Sequence, residues 1–215
     1  GMRSHTYAID APAGSGVVIP DQPCEEPVPT AGLSDVDPAG THGPDIDCMV
    51  YFDIMPPVTG DLFDPTGPIA RWQMAQYLIR EAEIIGVDIP DVGDQGFADI
   101  GGFPQDVIDD INSLKALGIT TGVSATEFDP DGTIPRWQMA LFLTRVHASA
   151  GYLLPGGASP FADLGGLSGE AVGAIQGLVA LGVTNGTSES TFSPYSDVTR
   201  EQMASFLARL LRADT

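Results

Sequence analysis

A chain of 215 residues, 43 % hydrophobic and punctuated by 26 glycines and 18 prolines, is long enough to bury the core of one large domain or two small ones and reads as globular with long loops. Its formal charge of −20, from 29 acidic residues against 9 Lys and Arg, excludes a surface that tracks nucleic-acid phosphates or an anionic bilayer, both of which need clustered cations; it favours a soluble monomer. No run of 18 apolar residues could span a membrane, and no secretory leader is legible after Gly1-Met2, which reads as an expression remnant.

Residues 1–31 carry Pro12, Pro20, Pro23, Pro27 and Pro29 with no helical period, which predicts an extended arm. Cys24 and Cys48 are too few and too far apart for a four-ligand zinc site and form no Cys-x-x-Cys motif. In an exported protein they could pair, closing a loop of about 25 residues and contributing on the order of 3 kcal/mol. The alternative is two unpaired thiols, with Cys48 buried on a helix.

From Gly32 the chain repeats, with boundaries expected at 32–82, 96–148 and 160–213 and linkers near 83–95 and 149–159. Each unit opens on an apolar-x-Asp motif: Leu33-Ser34-Asp35, Phe97-Ala98-Asp99 and Phe161-Ala162-Asp163. A first helix follows, with an apolar stripe at Ile108, Ile111, Leu114 and Leu117 in the second unit and Val172, Ile175, Leu178 and Leu181 in the third. Its counterpart in the first unit is Ile46, Met49 and Phe52. Gly118 and Gly182 end two of these helices as left-handed C-terminal glycines; the first unit has Asp53 there.

A loop of turn formers comes next, and it contains the strongest repeated signal: FDPTGPIARWQMAQYLIR from Phe63, FDPDGTIPRWQMALFLTR from Phe128 and FSPYSDVTREQMASFLAR from Phe192. Phe63, Phe128 and Phe192 are expected to plug the loop into the core, with the following turn set by Pro, Asp and Gly chemistry. The second helix then buries Met74, Ala75, Tyr77 and Leu78, with Met139, Ala140, Phe142, Leu143 and Met203, Ala204, Phe206, Leu207 as equivalents. Thr199-x-x-Gln202 predicts a capping box in the third unit; Ala70 supplies no capping oxygen, so that helix start is expected to be weaker by roughly 1 kcal/mol. Neither helix of a unit can bury its stripe alone, so the fold expected is all-α, three helix-loop-helix repeats packed about a pseudo-threefold axis.

Six of the nine cations fall at two repeated positions: Arg71, Arg136 and Arg200 at the start of the second helix, and Arg80, Arg145 and Arg209 near its end. An arginine in the first turn opposes the helix dipole by roughly 0.3–1 kcal/mol and needs a compensating partner. Two partners fit: a nearby acid such as Asp64, Asp129 or Asp197, or a ligand carboxylate received by the guanidinium fork and the free helix N–H groups. Arg80, Arg145 and Arg209 suit the negative end of the helix and structural salt bridges. Trp72 and Trp137 could stack on sugars or pack between units.

No metal or cofactor is expected: Asp129-x-Asp131-Gly132 resembles the start of a calcium loop, but the later oxygen ligands and closing glutamate are missing. Catalysis finds no motif, since His5, His42 and His147 lie outside the repeated positions and no Ser-His-Asp, phosphate-loop or His-Glu-x-x-His pattern occurs.

These residues resemble a tandem of three S-layer homology (SLH) domains. The resemblance rests on Phe97-Ala98-Asp99, Gly118-Ile119 with Gly122, Phe128 and Pro130, Arg136, and Met139-Ala140 with Leu143, and on the same set in the third unit with Thr199-Arg200-Glu201-Gln202. It covers nearly all of residues 32–213. It implies a three-pronged spindle at the bacterial cell surface or wall, non-catalytic, whose inter-repeat grooves hold an anionic, often pyruvylated, secondary cell-wall polysaccharide. The binding arginine of that family maps onto Arg71, Arg136 and Arg200 and its groove glycine onto Gly122 and Gly186, with Pro57 replacing the glycine in the first unit and Trp72 and Trp137 replacing the small residue after arginine. The ligand-binding set is thus Arg200, Arg136, Arg71, Gly186, Gly122, Trp137 and Trp72, with Arg200 ranked first and Arg71 last. The competing expectation is a structural or protein-interaction module that keeps the fold without binding glycan; an enzyme acting on wall glycans is a distant third.

Overall fold

Six helices run through the described residues, in three pairs: α1 (Gly43–Tyr51) and α2 (Arg71–Ile84), α3 (Gln105–Ala116) and α4 (Arg136–Ser149), α5 (Gly169–Ala180) and α6 (Arg200–Ala213). The structure, a computed structural model, describes residues 23–25 and 27–213. The predicted arm over residues 1–22, with His5, lies outside the described residues. Among those described there is no strand, only isolated bridges such as Pro68 with Thr199 and Pro135 with Asp197.

The all-α expectation holds, and the pairing of helices follows from which face each one buries. Each unit's first helix packs against the second helix of the preceding unit: α3 on α2, α5 on α4, and α1 on α6. The second helices also meet one another, α2 with α4 and α4 with α6. The last unit therefore returns to the first, and the helix packing forms a closed cycle.

Met74, Ala75, Tyr77 and Leu78 are buried together with all their equivalents in α4 and α6. Burial there is not confined to one face: Met203 to Ala208 are all buried in α6 and Met139 to Thr144 in α4, as in helices that run through an interior. In the first helices the predicted stripe needs correction. Val107, Ile111 and Leu114 are buried in α3, and Ala171, Ala174, Ile175 and Leu178 in α5, whereas Ile108, Leu117, Val172 and Leu181 are only half-buried. A run of steps of three drifts off the face of a helix with 3.6 residues per turn; alternating steps of four and three stay on it.

Gly118 and Gly182 both adopt φ +73, and Asp53 occupies the same left-handed corner at φ 53. Ile119 N–H and Val183 N–H then donate back to Leu114 and Leu178, closing the helix ends. Arg80, Arg145 and Arg209 reach this corner within their own units: they donate to the carbonyls of Ile54, Ile119 and Val183. Arg145 also pairs with Glu170 at 2.7 Å, and Arg209 lies 3.7 Å from Asp45. The structural role expected of these three arginines is thus carried largely by backbone carbonyls.

Cys24 and Cys48 are joined in a disulfide with their Cα atoms 5.6 Å apart. Arg212, at the end of α6, donates to the Cys24 carbonyl and to Asp45 on α1, so the bridge sits where the last unit meets the first.

Candidate functional site

The candidate site is built from one peptide group, the one flanking the plug phenylalanine, and it recurs three times. Asp99 accepts from the N–H groups of Phe128 (2.9 Å) and Asp129 (2.7 Å). Asp35 does the same for Phe63 and Asp64, and Asp163 for Phe192 and Ser193. The residue after each phenylalanine is left-handed: Asp64 at φ 57, Asp129 at φ 59 and Ser193 at φ 55. Two donated N–H groups stabilise a carboxylate and fix a strained corner at once. The opening aspartate is therefore the clamp that shapes the loop. Sequence reading left that role unassigned, although the separation of 28 or 29 residues between aspartate and phenylalanine in every repeat signals it.

Clamped this way, the phenylalanine turns its carbonyl toward the neighbouring unit. Arg71 Nε donates to Phe128 O at 2.8 Å, Arg136 Nε to Phe192 O at 2.8 Å, and Arg200 Nε to Phe63 O at 2.6 Å. Each guanidinium lies over the ring of that same phenylalanine, with Cζ 4.9, 4.7 and 4.5 Å from the centroids. The three arginines are only 2–3 % exposed. Among the described residues none forms an ion pair within 4 Å with Asp64, Asp129 or Asp197. The compensating partner is thus a backbone carbonyl and an aromatic face of the next repeat, in place of the acid expected from sequence.

The helix starts are used in the same way. Arg71 N–H donates to Gly132 O and Trp72 N–H to Pro130 O; Arg136 and Trp137 donate to Ser196 O and Pro194 O; Arg200 and Glu201 donate to Gly67 O and Pro65 O. These are the orphan donors of a helix N-terminus, and the turn of the following repeat satisfies them. They are therefore not free for a ligand anion. The same bonds correct the reading of Ala70: Gln73 Oε1 accepts from Ala70 N–H at 3.2 Å, and the neighbouring turn supplies the caps that alanine lacks. Thr199 Oγ1 accepts from Gln202 N–H at 3.4 Å, a long bond for the predicted box.

Because each arginine reaches into the next repeat, the groove partners differ from those read within one repeat. Arg71 belongs with Gly122, Arg136 with Gly186, and Arg200 with the loop holding Pro57. Arg200 is also the most fully engaged: Nη1 donates to Tyr77 Oη at 2.7 Å and Nη2 to Pro56 O at 3.0 Å. Arg71 and Arg136 instead use Nη1 on Gln138 (3.1 Å) and Gln202 (3.2 Å), and among the described residues their Nη2 atoms have no hydrogen-bond partner. Neither Nη2 is sealed from solvent. Arg200 is thus the arginine with all three nitrogens engaged, while Arg71 and Arg136 each keep one open.

Gly122 and Gly186 (both φ +80) owe their identity first to packing. A Cβ on Gly122 would lie 2.5 Å from Phe97 Cε1 and 2.4 Å from Glu127 O; on Gly186 it would lie 2.4 Å from both Phe161 Cε1 and Thr191 O. In the first unit Leu33 stands for the aromatic ring and Pro57 for the glycine, so both sides of that contact change together. Trp72 is half-buried against Phe103, with ring centroids 6.1 Å apart, which supports packing between units; Trp137 is half-buried too.

Burial lowers the Arg136 guanidinium to about 10, with Asp163 offsetting part of the effect, and burial also lowers Arg71 against the pull of Asp129 and Asp99. At about 10, Arg136 remains cationic at neutral pH. Burial opposes ionisation of Asp35 and Asp163, but their backbone donors and the facing Arg200 and Arg136 outweigh it and hold both below the ordinary carboxylate value.

Residues 96–140 and 160–204 each match the S-layer homology domain family, two stretches that fall in the second and third repeats. Over 187 residues the chain is 29 % identical to an S-layer protein of Bacillus thuringiensis subsp. finitimus, a stretch that is 85 % of this chain and 22 % of that protein. It is 27 % identical over 184 residues to an endoglucanase of Bacillus sp. (strain KSM-635), covering 83 % of this chain and 18 % of that enzyme. The chain thus spans about a fifth of the length of these relatives.

Proposed function

We propose that this chain is a non-catalytic anchoring module that binds an anionic secondary cell-wall polysaccharide in the grooves between repeats. A cell-surface location follows from the two matches to the S-layer homology domain, a cell-wall anchoring module. The observation that carries the finer reading is the unpartnered Nη2 of Arg71 and Arg136, each on a guanidinium otherwise locked in place by the next repeat. A fixed cation with one open donor edge is preorganised for a carboxylate and loses little side-chain entropy on binding it. The net charge of −20 repels such a polymer at long range, but screening over about 8 Å in physiological salt leaves the local guanidinium dominant.

The test is co-sedimentation with bacterial sacculi before and after removal of their non-peptidoglycan polymer by hydrofluoric acid. Retention on intact sacculi and release from stripped ones is expected. Equal retention on both would rule the polysaccharide out.

The burial of all three arginines and the saturation of Arg200 favour a second reading, in which the module keeps the fold for structural or protein contact alone. Capture of a protein partner in the absence of any wall retention would support it. The chain corresponds to under a fifth of the endoglucanase it resembles, so that enzyme's activity is not carried over to it.

A further inference from the structure

We propose that the three grooves are unequal, and that the anionic polymer is taken at the groove between the second and third repeats, by Arg136 together with the hydroxyls of Thr187, Thr191 and Ser193. The inference rests on the polysaccharide-binding reading and sharpens it to a single site.

Two comparisons among the repeats lead there. The first concerns donors. Arg200 commits all three nitrogens to Phe63 O, Tyr77 Oη and Pro56 O, so the groove closing the cycle offers no open guanidinium edge. Arg71 and Arg136 each keep Nη2. The second concerns charge, and it separates these two. At the left-handed position after the plug phenylalanine, the first two repeats have Asp64 and Asp129 and the third has Ser193. Asp129 follows Phe128, whose carbonyl Arg71 binds, and its carboxylate lies over Gly132, whose carbonyl accepts from Arg71 N–H, so position 129 belongs to the loop that holds this arginine. At the residue before the phenylalanine, Glu127 gives way to Thr191. The loop at Arg71 thus carries two carboxylates that repel an anion, and both are absent at Arg136.

Hydroxyls replace them. Ser188 Oγ and Thr191 Oγ1 lie 2.6 Å apart, Thr191 Oγ1 and Thr187 Oγ1 3.0 Å, and Thr187 Oγ1 and Ser193 Oγ 2.7 Å. Thr187 and Ser188 are exposed, and Thr191 and Ser193 are half-buried. Each hydroxyl brings one donor and two acceptor lone pairs; Thr187 also donates to the Thr191 carbonyl at 3.2 Å, so the set uses its donors internally and keeps acceptor lone pairs for sugar hydroxyls. Val123 occupies the place of Thr187 at the Arg71 groove.

The replacement is coupled within the turn, which supplies a clean variant. Asp64 and Asp129 fold over Gly67 and Gly132, where a Cβ would come 2.0 and 2.1 Å from the carboxylate oxygen. In the third repeat the same two places are Ser193 and Ser196. The double substitution Ser193→Asp with Ser196→Gly therefore installs a pair that the fold already carries twice. Binding would be followed by titration calorimetry with the polysaccharide that hydrofluoric acid releases from sacculi retaining the parent protein. The parent is expected to bind with one site per chain and the double variant at least tenfold more weakly, with an unchanged melting curve. Thr187→Val, which copies the neighbouring repeat, is expected to weaken binding about threefold even if the double variant melts early. Parental affinity in both variants, or three equal sites per chain, would overturn the assignment; a parent that binds no polymer would overturn the reading beneath it.

Discussion

At the residue scale the arginine beginning each second helix changes meaning once its surroundings are known. Among the described residues it forms no ion pair within 4 Å; it reads a carbonyl and lies on a ring. The fork geometry matters more than the charge, because Nε and Nη1 of Arg136 address Phe192 O and Gln202 Oε1 at once. Lysine cannot reproduce two divergent bonds from one planar group. Arg136→Lys should therefore lower stability by about 1.5–3 kcal/mol in urea unfolding despite the retained charge, and Arg200→Lys should cost more, since it loses three bonds. The opening aspartates give a pH signature. Asp35 and Asp163 are more acidic folded than their ordinary value of 3.8, so their contribution is complete above that value and disappears as pH falls through the lower folded one. Acid titration of the melting temperature should show this loss below pH 3.8, and Asp163→Asn should flatten it.

At the element scale, the helices of this protein borrow their ends from one another. Ala70 is a poor cap by composition, and the sequence correctly shows that no oxygen is present there; the Gly132 and Pro130 carbonyls that replace it belong to the next repeat. The predicted apolar stripes mark the correct helices and their central members Ile111, Leu114, Ile175 and Leu178, but miss Val107 and Ala171 at the start, because a three-residue step and a 3.6-residue turn diverge within two turns. The groove glycines belong to this scale as well. At φ +80 with Phe161 and Thr191 against it, Gly186 has neither the backbone freedom nor the space for a methyl group. Gly186→Ala should cost about 1–3 kcal/mol, read as a lower midpoint in denaturant. An unshifted midpoint would mean that the ring and the loop relax at no cost.

At the scale of the whole molecule, the packing runs in a cycle: α3 on α2, α5 on α4, α1 on α6, with the arginine bonds following the same order. The disulfide and the bonds of Arg212 lie at the seam where residue 24 meets residue 212. Such a cycle has no dispensable unit. A chain ending at residue 159 should fail to fold cooperatively, since α1 would lose α6 and Arg136 would lose Phe192 O; a sharp calorimetric transition from that fragment would refute this. The contrast with linear repeat arrays is direct, because in those the removal of a terminal repeat disturbs only its nearest neighbour.

The sequence by itself determined the elements that local chemistry controls. The three-fold recurrence of Phe, Pro and Arg at fixed spacing, the left-handed corners at Gly118, Gly182 and Asp53, the plugs at Phe63, Phe128 and Phe192, and the buried face of the second helices could all be read from it, because each depends on neighbours within a turn or two. What the tertiary structure alone decided is which repeat each arginine serves. Partnership across 56 to 137 residues depends on how apolar faces find one another, and periodicity within a single repeat carries no information about that. Reading within repeats set Arg71 opposite Pro57; packing instead brings Arg200 to Pro56 O in the first repeat and Arg136 to Phe192 O in the third.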